Sequence, residues 1–230
     1  LISLKKYLIE ETYEVIEAID EADAKKHREE LGDLLLQVVF QSQLATENKA
    51  FSIEDVVKGI NEKLLRRHPH VFGDEKVFSA KSAYQKWTQS KKAENPDRSA
   101  VDGVPKQMPA LSRAYRITEK AASVGFDWEA QKEVVEKIDE ELAELKVNLL
   151  KSDIKEIENE LGDLLFSIVN LARHLHIDPE HALHRTSEKF SRRFRFMESE
   201  CTKKNIELHT LTLSEMEELW ESAKRKEHSA

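Results

Sequence analysis

The feature that most constrains this chain is an internal repeat. The segment Glu-Leu-Gly-Asp-Leu-Leu at residues 30–35 recurs without change at residues 160–165, an offset of 130. At the same offset, residues 10–14 (Glu-Glu-Thr-Tyr-Glu) align with residues 140–144 (Glu-Glu-Leu-Ala-Glu). Self-similarity at a fixed offset is typical of chains built from copies of one structural unit. We therefore interpret the sequence as two copies of one module.

Two shorter blocks extend the repeat in the same order. The matching positions are Lys63, Arg66 and Arg67 with Lys189, Arg192 and Arg193, and then Trp87 and Lys91 with Trp220 and Lys224. The stretch between the copies contains a cluster of turn-forming residues, Pro96, Gly103, Pro105 and Pro109. Because Pro and Gly interrupt helices, this stretch indicates an irregular linker. We predict an N-terminal module over residues 1–95, a linker over 96–109 and a C-terminal module over 110–230.

Composition favours an all-α fold. The chain has only 6 Gly and 5 Pro, whereas 35% of its residues are charged and 7% are aromatic. Few turn residues and many charged ones indicate long amphipathic helices rather than many short strands. We predict that each module is a bundle of about four helices, in which short connections place neighbouring helices antiparallel.

Candidate caps in the second copy mark where its helices begin. Ser, Thr and Asp are preferred at helix N-caps, Pro at the first helical position, and Glu three residues after the cap. In chain order the candidates are Asp127 for a helix near Trp128, either Ser152 or Asp153, Asp178 followed by Pro179, and Ser214 with Glu217.

Charge and cysteine content exclude some classes of protein. The formal net charge of −8 argues against a protein that binds nucleic acid through a broad basic surface, because such binding depends on Lys and Arg. The lone Cys201 excludes an intramolecular disulfide and fits a reducing compartment. No apolar run approaches the roughly 20 residues that span a bilayer. We expect a cytoplasmic protein with neither a nucleic-acid nor a membrane partner.

Acidic residues of the second copy are spaced to meet on two neighbouring helices. Glu141 and Glu144 are three residues apart, as are Glu160 and Asp163, and residues at this spacing share a helix face. If the two helices are antiparallel, all four carboxylates converge on one pocket. Like charges at close range repel, and a hard divalent cation relieves that repulsion. The first copy has the same pattern at Glu11, Glu14, Glu30 and Asp33.

An all-oxygen ligand set favours Mg²⁺, or Mn²⁺, over zinc, copper or iron. A di-iron bundle places His three residues after Glu, where this chain has Asp33 and Asp163. A single acidic pair is usually only a solvated helix face, but both copies also keep a glycine, Gly32 or Gly162, between the acids. Because Gly in a helix interior costs about 0.5–1 kcal/mol relative to Ala, we expect a close approach by a neighbouring helix or a ligand there.

Cationic and aromatic residues further along are less specific. Lys189, Arg192 and Arg193 lie about one turn apart and can bind phosphate oxygens, although such a run is more often solvated surface. Trp220 lies one turn before Lys224. Its indole either covers a base or fills the core.

Together these motifs resemble those of the MazG nucleotide pyrophosphohydrolases, within the all-α NTP pyrophosphatase group. The resemblance rests on Glu-Glu-x-x-Glu followed by Glu-x-x-Asp in both copies. It extends to further similar segments, at residues 66–72, 124–128, 189–194 and 220–224. It covers essentially the whole chain.

The resemblance implies hydrolysis of nucleoside triphosphates at the α–β bond, which yields the monophosphate and pyrophosphate, and it implies a homodimer. The Mg²⁺ ligands that it implies are Glu141, Glu144, Glu160 and Asp163. The nucleotide contacts that it implies are Lys137, Lys189, Arg193, Trp220 and Lys224. Either Glu141 or its neighbour Glu140 would orient or deprotonate the attacking water.

Members of this family usually have a Cys-Pro-Trp-Asp type segment ahead of the first acidic helix, the counterpart of residues 125–128, and this sequence begins after that point. We therefore expect the second copy to be the principal catalytic domain, with a weaker site in the first. From the residues alone, another class of function stays open. This is a non-catalytic helical scaffold whose acidic clusters bind Mg²⁺ or a partner protein.

Overall fold

A computed structural model describes residues 1–67, 69–72 and 99–228. All regular structure in these ranges is helical, which confirms the all-α prediction. The first copy contains α1 (Lys5–Asp20), α2 (Ala24–Glu47), α3 (Ile53–Arg67) and α4 (Pro69–Phe72). The second contains α5 (Ala110–Ala122), α6 (Gln131–Lys151), α7 (Ile154–His174), α8 (Pro179–Lys203) and α9 (Leu213–His228). Trp87, Lys91 and Pro96 lie outside the described residues.

Contacts between residues divide the chain into two compact units, Leu1–Arg98 and Ser99–Ala230. Residues 99–109, which the sequence assigns to a linker, therefore belong with the second unit. Lys120 on α5 shows one reason, because its Nζ donates to the backbone carbonyls of Ala100 and Asp102 at 3.1 and 2.9 Å. No helix in the described ranges combines the length and apolar character that a membrane span needs.

The internal repeat is visible in the backbone between the acidic helices. Ala22, between α1 and α2, has a φ of 54°, and Ser152, between α6 and α7, has a φ of 58°. The residue that follows each of them, Asp23 or Asp153, is the N-cap of the next helix and accepts backbone N–H groups with its side chain. A residue in the left-handed conformation followed directly by an N-cap reverses the chain direction within two residues. The acidic helices of each copy consequently pack against each other as an antiparallel pair.

Two of the expected helix starts in the second copy are confirmed. Asp153 caps α7 by accepting the backbone N–H of Lys155 at 3.1 Å. Asp178 caps α8 by accepting the backbone N–H of His181 at 3.0 Å, and Pro179 occupies the first helical position. These caps depend on neighbours within three residues, which is why the sequence alone identifies them.

The other two expected starts are wrong. Helix α6 begins at Gln131 rather than near Trp128, and the carboxylate of Glu133 accepts the backbone N–H of Ala130 at 3.1 Å. Helix α9 begins at Leu213. Its capping pair is Thr212 with Glu215, two residues before the expected Ser214 with Glu217. The Thr212 hydroxyl donates a hydrogen bond to Oε2 of Glu215 at 2.7 Å.

Asp127, the expected cap of α6, instead binds two cationic side chains at the end of α7. Nη1 of Arg173 donates to Oδ2 of Asp127 at 3.0 Å, and Nε2 of His174 lies 3.0 Å from Oδ1 of Asp127. Burial raises the pKa of Asp127, but Arg173 and His174 outweigh it and lower the pKa below the usual value. This contact holds the segment before α6 against the C-terminal end of α7.

Helix α5 follows the linker and was not expected, so the second copy has five α-helices rather than about four. It packs against α7 and α8. Its N-terminus is capped by Glu180 from α8, whose Oε2 accepts the backbone N–H and the hydroxyl of Ser112 at 3.1 and 3.2 Å. A cap supplied from 68 positions away leaves no local signal in the sequence.

Candidate functional site

Three carboxylates of the second copy converge between α6 and α7. Glu141 and Glu144 from α6 and Glu160 from α7 each offer an oxygen, and these oxygens lie within 4.8 Å of one another. Glu141 is buried, with 5% of its surface exposed, whereas Glu160 is half-buried and Glu144 exposed. Asp163, the fourth expected ligand, lies outside this group, although its charge acts on Glu160. We call these three residues the C-terminal cluster.

The first copy repeats the arrangement between α1 and α2. The carboxylate oxygens of Glu11, Glu14 and Glu30 also lie within 4.8 Å of one another, and Asp33 lies outside the group. All three residues are half-buried. Gln37 from α2 donates its Nε2 to Oε1 of Glu11 at 3.3 Å. We call Glu11, Glu14 and Glu30 the N-terminal cluster.

Burial, together with neighbouring negative charge, raises one pKa in each cluster. In the C-terminal cluster burial raises the pKa of Glu160, and the charges of Glu144, Glu141 and Asp163 raise it further. In the N-terminal cluster burial raises the pKa of Glu14, followed by the charge of Glu30. Each cluster therefore binds a proton more tightly than an ordinary glutamate does, and a bound cation would remove the cause.

A cationic side chain, Lys137, contacts the C-terminal cluster. Lys137 Nζ lies 2.7 Å from Oε1 of Glu141 and 3.0 Å from Oε1 of Glu140. Hydrogen bonds to Glu141 and Glu140 raise the pKa of this ammonium, which stays charged at neutral pH. The corresponding residue of the first copy is Tyr7, which has no charge to offer.

The glycines between the acids face open space. A Cβ built on Gly32 or Gly162 would meet no heavy atom within 4 Å among the residues that the structure describes. The expectation of a close approach by a neighbouring helix is therefore wrong within this part of the chain. The open side leaves room for a ligand beside the acidic residues.

The expected cationic and aromatic residues form a second group on α8 and α9. Arg193 donates its Nε to Oε2 of Glu227 at 2.8 Å, and its guanidinium carbon lies 5.5 Å from the centroid of the Trp220 ring. Arg192 NH2 lies 3.5 Å from Oε1 of Glu227. The Phe190 ring packs against the indole at 5.0 Å between centroids, so Trp220 belongs to an aromatic cluster.

Two expected nucleotide contacts lie outside this arrangement. Lys189 is exposed on α8, and Lys224 on α9 forms an ion pair with Glu221 at 2.6 Å. Within the described ranges, no hydrogen bond or ion pair joins the Arg193–Trp220 group to the C-terminal cluster.

Sequence reasoning missed one residue that contacts the C-terminal cluster. Asn148 on α6 donates its Nδ2 to Oε1 of Glu160 at 3.1 Å. The available signal was an asparagine inside a helix, where its intrinsic propensity is low.

The donor set of the C-terminal cluster fits a hard divalent ion. Three carboxylates from two helices bring oxygens within 4.8 Å of one another, and oxygen is the ligand that Mg²⁺ and Mn²⁺ prefer.

Comparison with known proteins gives matches along most of the chain. The family model described as "MazG nucleotide pyrophosphohydrolase domain" matches residues 1–72 and 129–196. The chain is 51% identical over 224 residues to the nucleoside triphosphate pyrophosphohydrolase/pyrophosphatase MazG of Thermotoga maritima, covering 96% of this chain and 85% of that protein.

It is 43% identical over 230 residues to the nucleoside triphosphate pyrophosphohydrolase of Escherichia coli K12, covering 98% of this chain and 88% of that protein. It is also 37% identical over 126 residues to the enzyme of the same name from Mycobacterium tuberculosis, covering 54% of this chain and 38% of that protein.

Proposed function

Because this chain belongs to the MazG nucleotide pyrophosphohydrolase family, we propose that it hydrolyses nucleoside triphosphates to the monophosphate and pyrophosphate at a magnesium site between α6 and α7. The observation that supports the site is the convergence of Glu141, Glu144 and Glu160 within 4.8 Å. Similarity to two pyrophosphohydrolases over nearly the whole chain supports the reaction.

Acidic residues would hold the ion. Glu141, Glu144 and Glu160 would bind it directly, and Asp163, one turn after Glu160, would add negative charge close by. A bound Mg²⁺, or Mn²⁺ in its place, supplies positive charge to the phosphate oxygens and stabilises the charge that develops on the leaving pyrophosphate. Either Glu140 or Glu141 accepts a proton from the attacking water.

The cationic residues bind the polyphosphate. Lys137 contacts Glu141 and Glu140 through its ammonium, which has three donors, and it would donate to a phosphate oxygen of the bound nucleotide. Arg193 and Lys189 contact the phosphates from α8, with Arg192 beside them and Lys224 one helix away. Trp220 covers the base with the exposed part of its ring. An acidic protein thereby gains the local positive charge that a triphosphate needs.

A homodimer is the proposed assembly. Large apolar side chains are exposed on α2 and α7, and large exposed apolar patches typically mark interfaces. Examples are Leu35 at 60%, Leu36 at 58%, Leu161 at 47%, Leu165 at 47% and Phe166 at 42% exposure. Light scattering coupled to size-exclusion chromatography measures this directly. A monomeric mass at micromolar concentration would reject the dimer and leave the reaction unaffected.

We propose a cytoplasmic location. The only cysteine of the sequence, Cys201, is a free thiol, as is common in proteins of a reducing compartment.

The reaction is tested by incubating the protein with the four nucleoside triphosphates and Mg²⁺ and identifying the products. We expect monophosphate and pyrophosphate, with none formed when EDTA is present. Diphosphate and free phosphate would indicate a different hydrolase. No product from any nucleotide would favour a non-catalytic scaffold. Glu144→Gln is the control for a contaminating hydrolase, since it removes one ligand from an exposed position.

A further inference from the structure

Asn148 is a polar residue in the interior of α6 that connects the two helices of the C-terminal cluster. Only 9% of its surface is exposed. Its Nδ2 donates to Oε1 of Glu160 at 3.1 Å, and its Oδ1 accepts from Nζ of Lys151 at 3.3 Å. A carboxylate only accepts and an ammonium only donates, so a single orientation of the amide satisfies both neighbours. These bonds, rather than helix propensity, account for an asparagine at this position.

The position of Asn148 along α6 places it beside the metal ligands. It follows Glu141 by seven residues and Glu144 by four, and this spacing puts all three on one face of the helix. The helix that supplies two carboxylates therefore also supplies a donor to the third, which comes from α7.

We propose that Asn148 is a positioning residue for Glu160 and that Lys151 holds its amide in place. The hydrogen bond fixes the Glu160 carboxylate in the orientation in which it meets Glu141 and Glu144. This inference rests on the proposed function, because it gives the three carboxylates a metal to bind. Partners of metal-ligating side chains typically change metal affinity about 10- to 100-fold when they are removed.

The first copy lacks this arrangement. Ala18 and Glu21 occupy the positions that correspond to Asn148 and Lys151. Ala18 is 1% exposed and has no side-chain donor, while Glu21 accepts a hydrogen bond from Lys26 at 2.9 Å. The first copy therefore has no amide at the position of Asn148, and the amide that reaches its cluster comes from a different position, Gln37 on α2, which donates to Glu11 at 3.3 Å.

Asn148→Leu removes the amide while keeping the branched shape and the number of side-chain heavy atoms, and Asn170→Leu is the matched control. Asn170 is another buried asparagine, 3% exposed on α7, and it accepts from Nε of Arg173 at 2.9 Å. Both variants lose one buried hydrogen bond to a cationic side chain. Only Asn148→Leu also loses a bond to the C-terminal cluster.

Two measurements on the full chain separate positioning from simple helix bridging. Calorimetric titration with Mn²⁺ alone should show binding weakened on the order of 10-fold in Asn148→Leu. The Mg²⁺ concentration for half-maximal nucleotide hydrolysis should rise by a similar factor. Because the chemistry itself is untouched, kcat at saturating Mg²⁺ should stay within about 2-fold. In Asn170→Leu the Mn²⁺ affinity and the Mg²⁺ requirement should be unchanged, although Tm falls.

A lower Tm in both variants with unchanged Mn²⁺ affinity in Asn148→Leu would overturn the proposal, because Asn148 would then only join two helices. If Asn148→Leu does not fold, Asn148→Ser gives the same test, since the shorter hydroxyl does not reach Glu160. Unchanged Mn²⁺ binding in Glu160→Gln would reject the metal site itself, and this failure is distinct from that of the positioning role.

Discussion

The two acidic clusters share one geometry but differ in the residues around them. In each, three glutamates from an antiparallel helix pair bring their oxygens within 4.8 Å. Beside the C-terminal cluster stand Lys137 and Asn148, whereas the first copy has Tyr7 and Ala18 at those positions. The helix pairing therefore fixes where carboxylates meet, and the neighbouring side chains determine whether their charge is balanced and their orientation held.

Removal of one ligand from each cluster gives the largest expected contrast. Glu144→Gln should lower kcat/KM at least ~100-fold, because metal stabilisation supplies several kcal/mol and 1.36 kcal/mol is a factor of ten. Glu14→Gln, the same change in the first copy, should leave kcat/KM within about 2-fold if the second copy is the principal active site. Equal losses in the two variants would contradict that contrast and make both clusters necessary.

The cation beside the C-terminal cluster should have the next largest effect. Lys137→Met should raise KM for the nucleotide about 10-fold, since a charge-assisted hydrogen bond contributes ~1.5–3 kcal/mol. Without nucleotide, the same variant should bind Mn²⁺ more tightly, because Lys137 no longer competes for Glu141. Steady-state kinetics and Mn²⁺ titration test the two parts, with Tyr7→Met as the matched change in the first copy. Weaker Mn²⁺ binding in Lys137→Met would contradict the competition.

Arg193 and Arg67 are equivalent positions in the two copies. Arg193→Lys keeps the charge but loses the planar fork of donors, so KM should rise about 3-fold with little change in kcat. Arg67→Lys should leave KM unchanged. A larger effect at Arg67 in the same assay would mean that the first copy also binds nucleotide.

Stability should depend on pH in the metal-free protein, and this effect is the smallest of the four. The folded pKa values of Glu160 and Glu14 are raised above 4.5, so the folded state retains protons that the unfolded chain has lost. Tm should therefore fall as pH rises from about 4.5 through the raised values, and stay level above them.

Saturating Mg²⁺ should remove much of this fall, and thermal denaturation across the pH range with and without Mg²⁺ measures it. Glu160→Gln and Glu14→Gln separate the contributions of the two clusters. A Tm that instead rises across this window in both metal-free variants and the parent would show that other groups dominate.

Local and repeated features of the sequence were sufficient to predict the acidic helix pair. Helical spacing placed Glu141 with Glu144, and the short connection capped by Asp153 placed α7 against α6. Features that depend on distant partners were not predictable in this way. Glu180 caps α5 from 68 positions away, and Asp127 binds Arg173 from 46 positions away. The sequence around Glu180 or Asp127 therefore contains no signal for these contacts.

Prediction of the site was limited by side-chain orientation. Spacing alone grouped Asp163 with Glu160, because residues three apart share a helix face. The group of carboxylate oxygens that lie within 4.8 Å of one another does not include an oxygen of Asp163. Asn148 was missed for a related reason. Its partner Glu160 lies on another helix, so only the packed pair reveals the hydrogen bond.

The left-handed residue between the acidic helices has a consequence for how this fold tolerates insertions and deletions. Surface connections usually accept an extra residue, because little depends on their length. Here Ser152 and Asp153 form the whole connection. If one inserted residue became part of the first turn of α7, the face that α7 presents to α6 would rotate by about 100°. An insertion in this connection would therefore separate the ligands while each helix stays intact. The same holds for an insertion at Ala22 and Asp23.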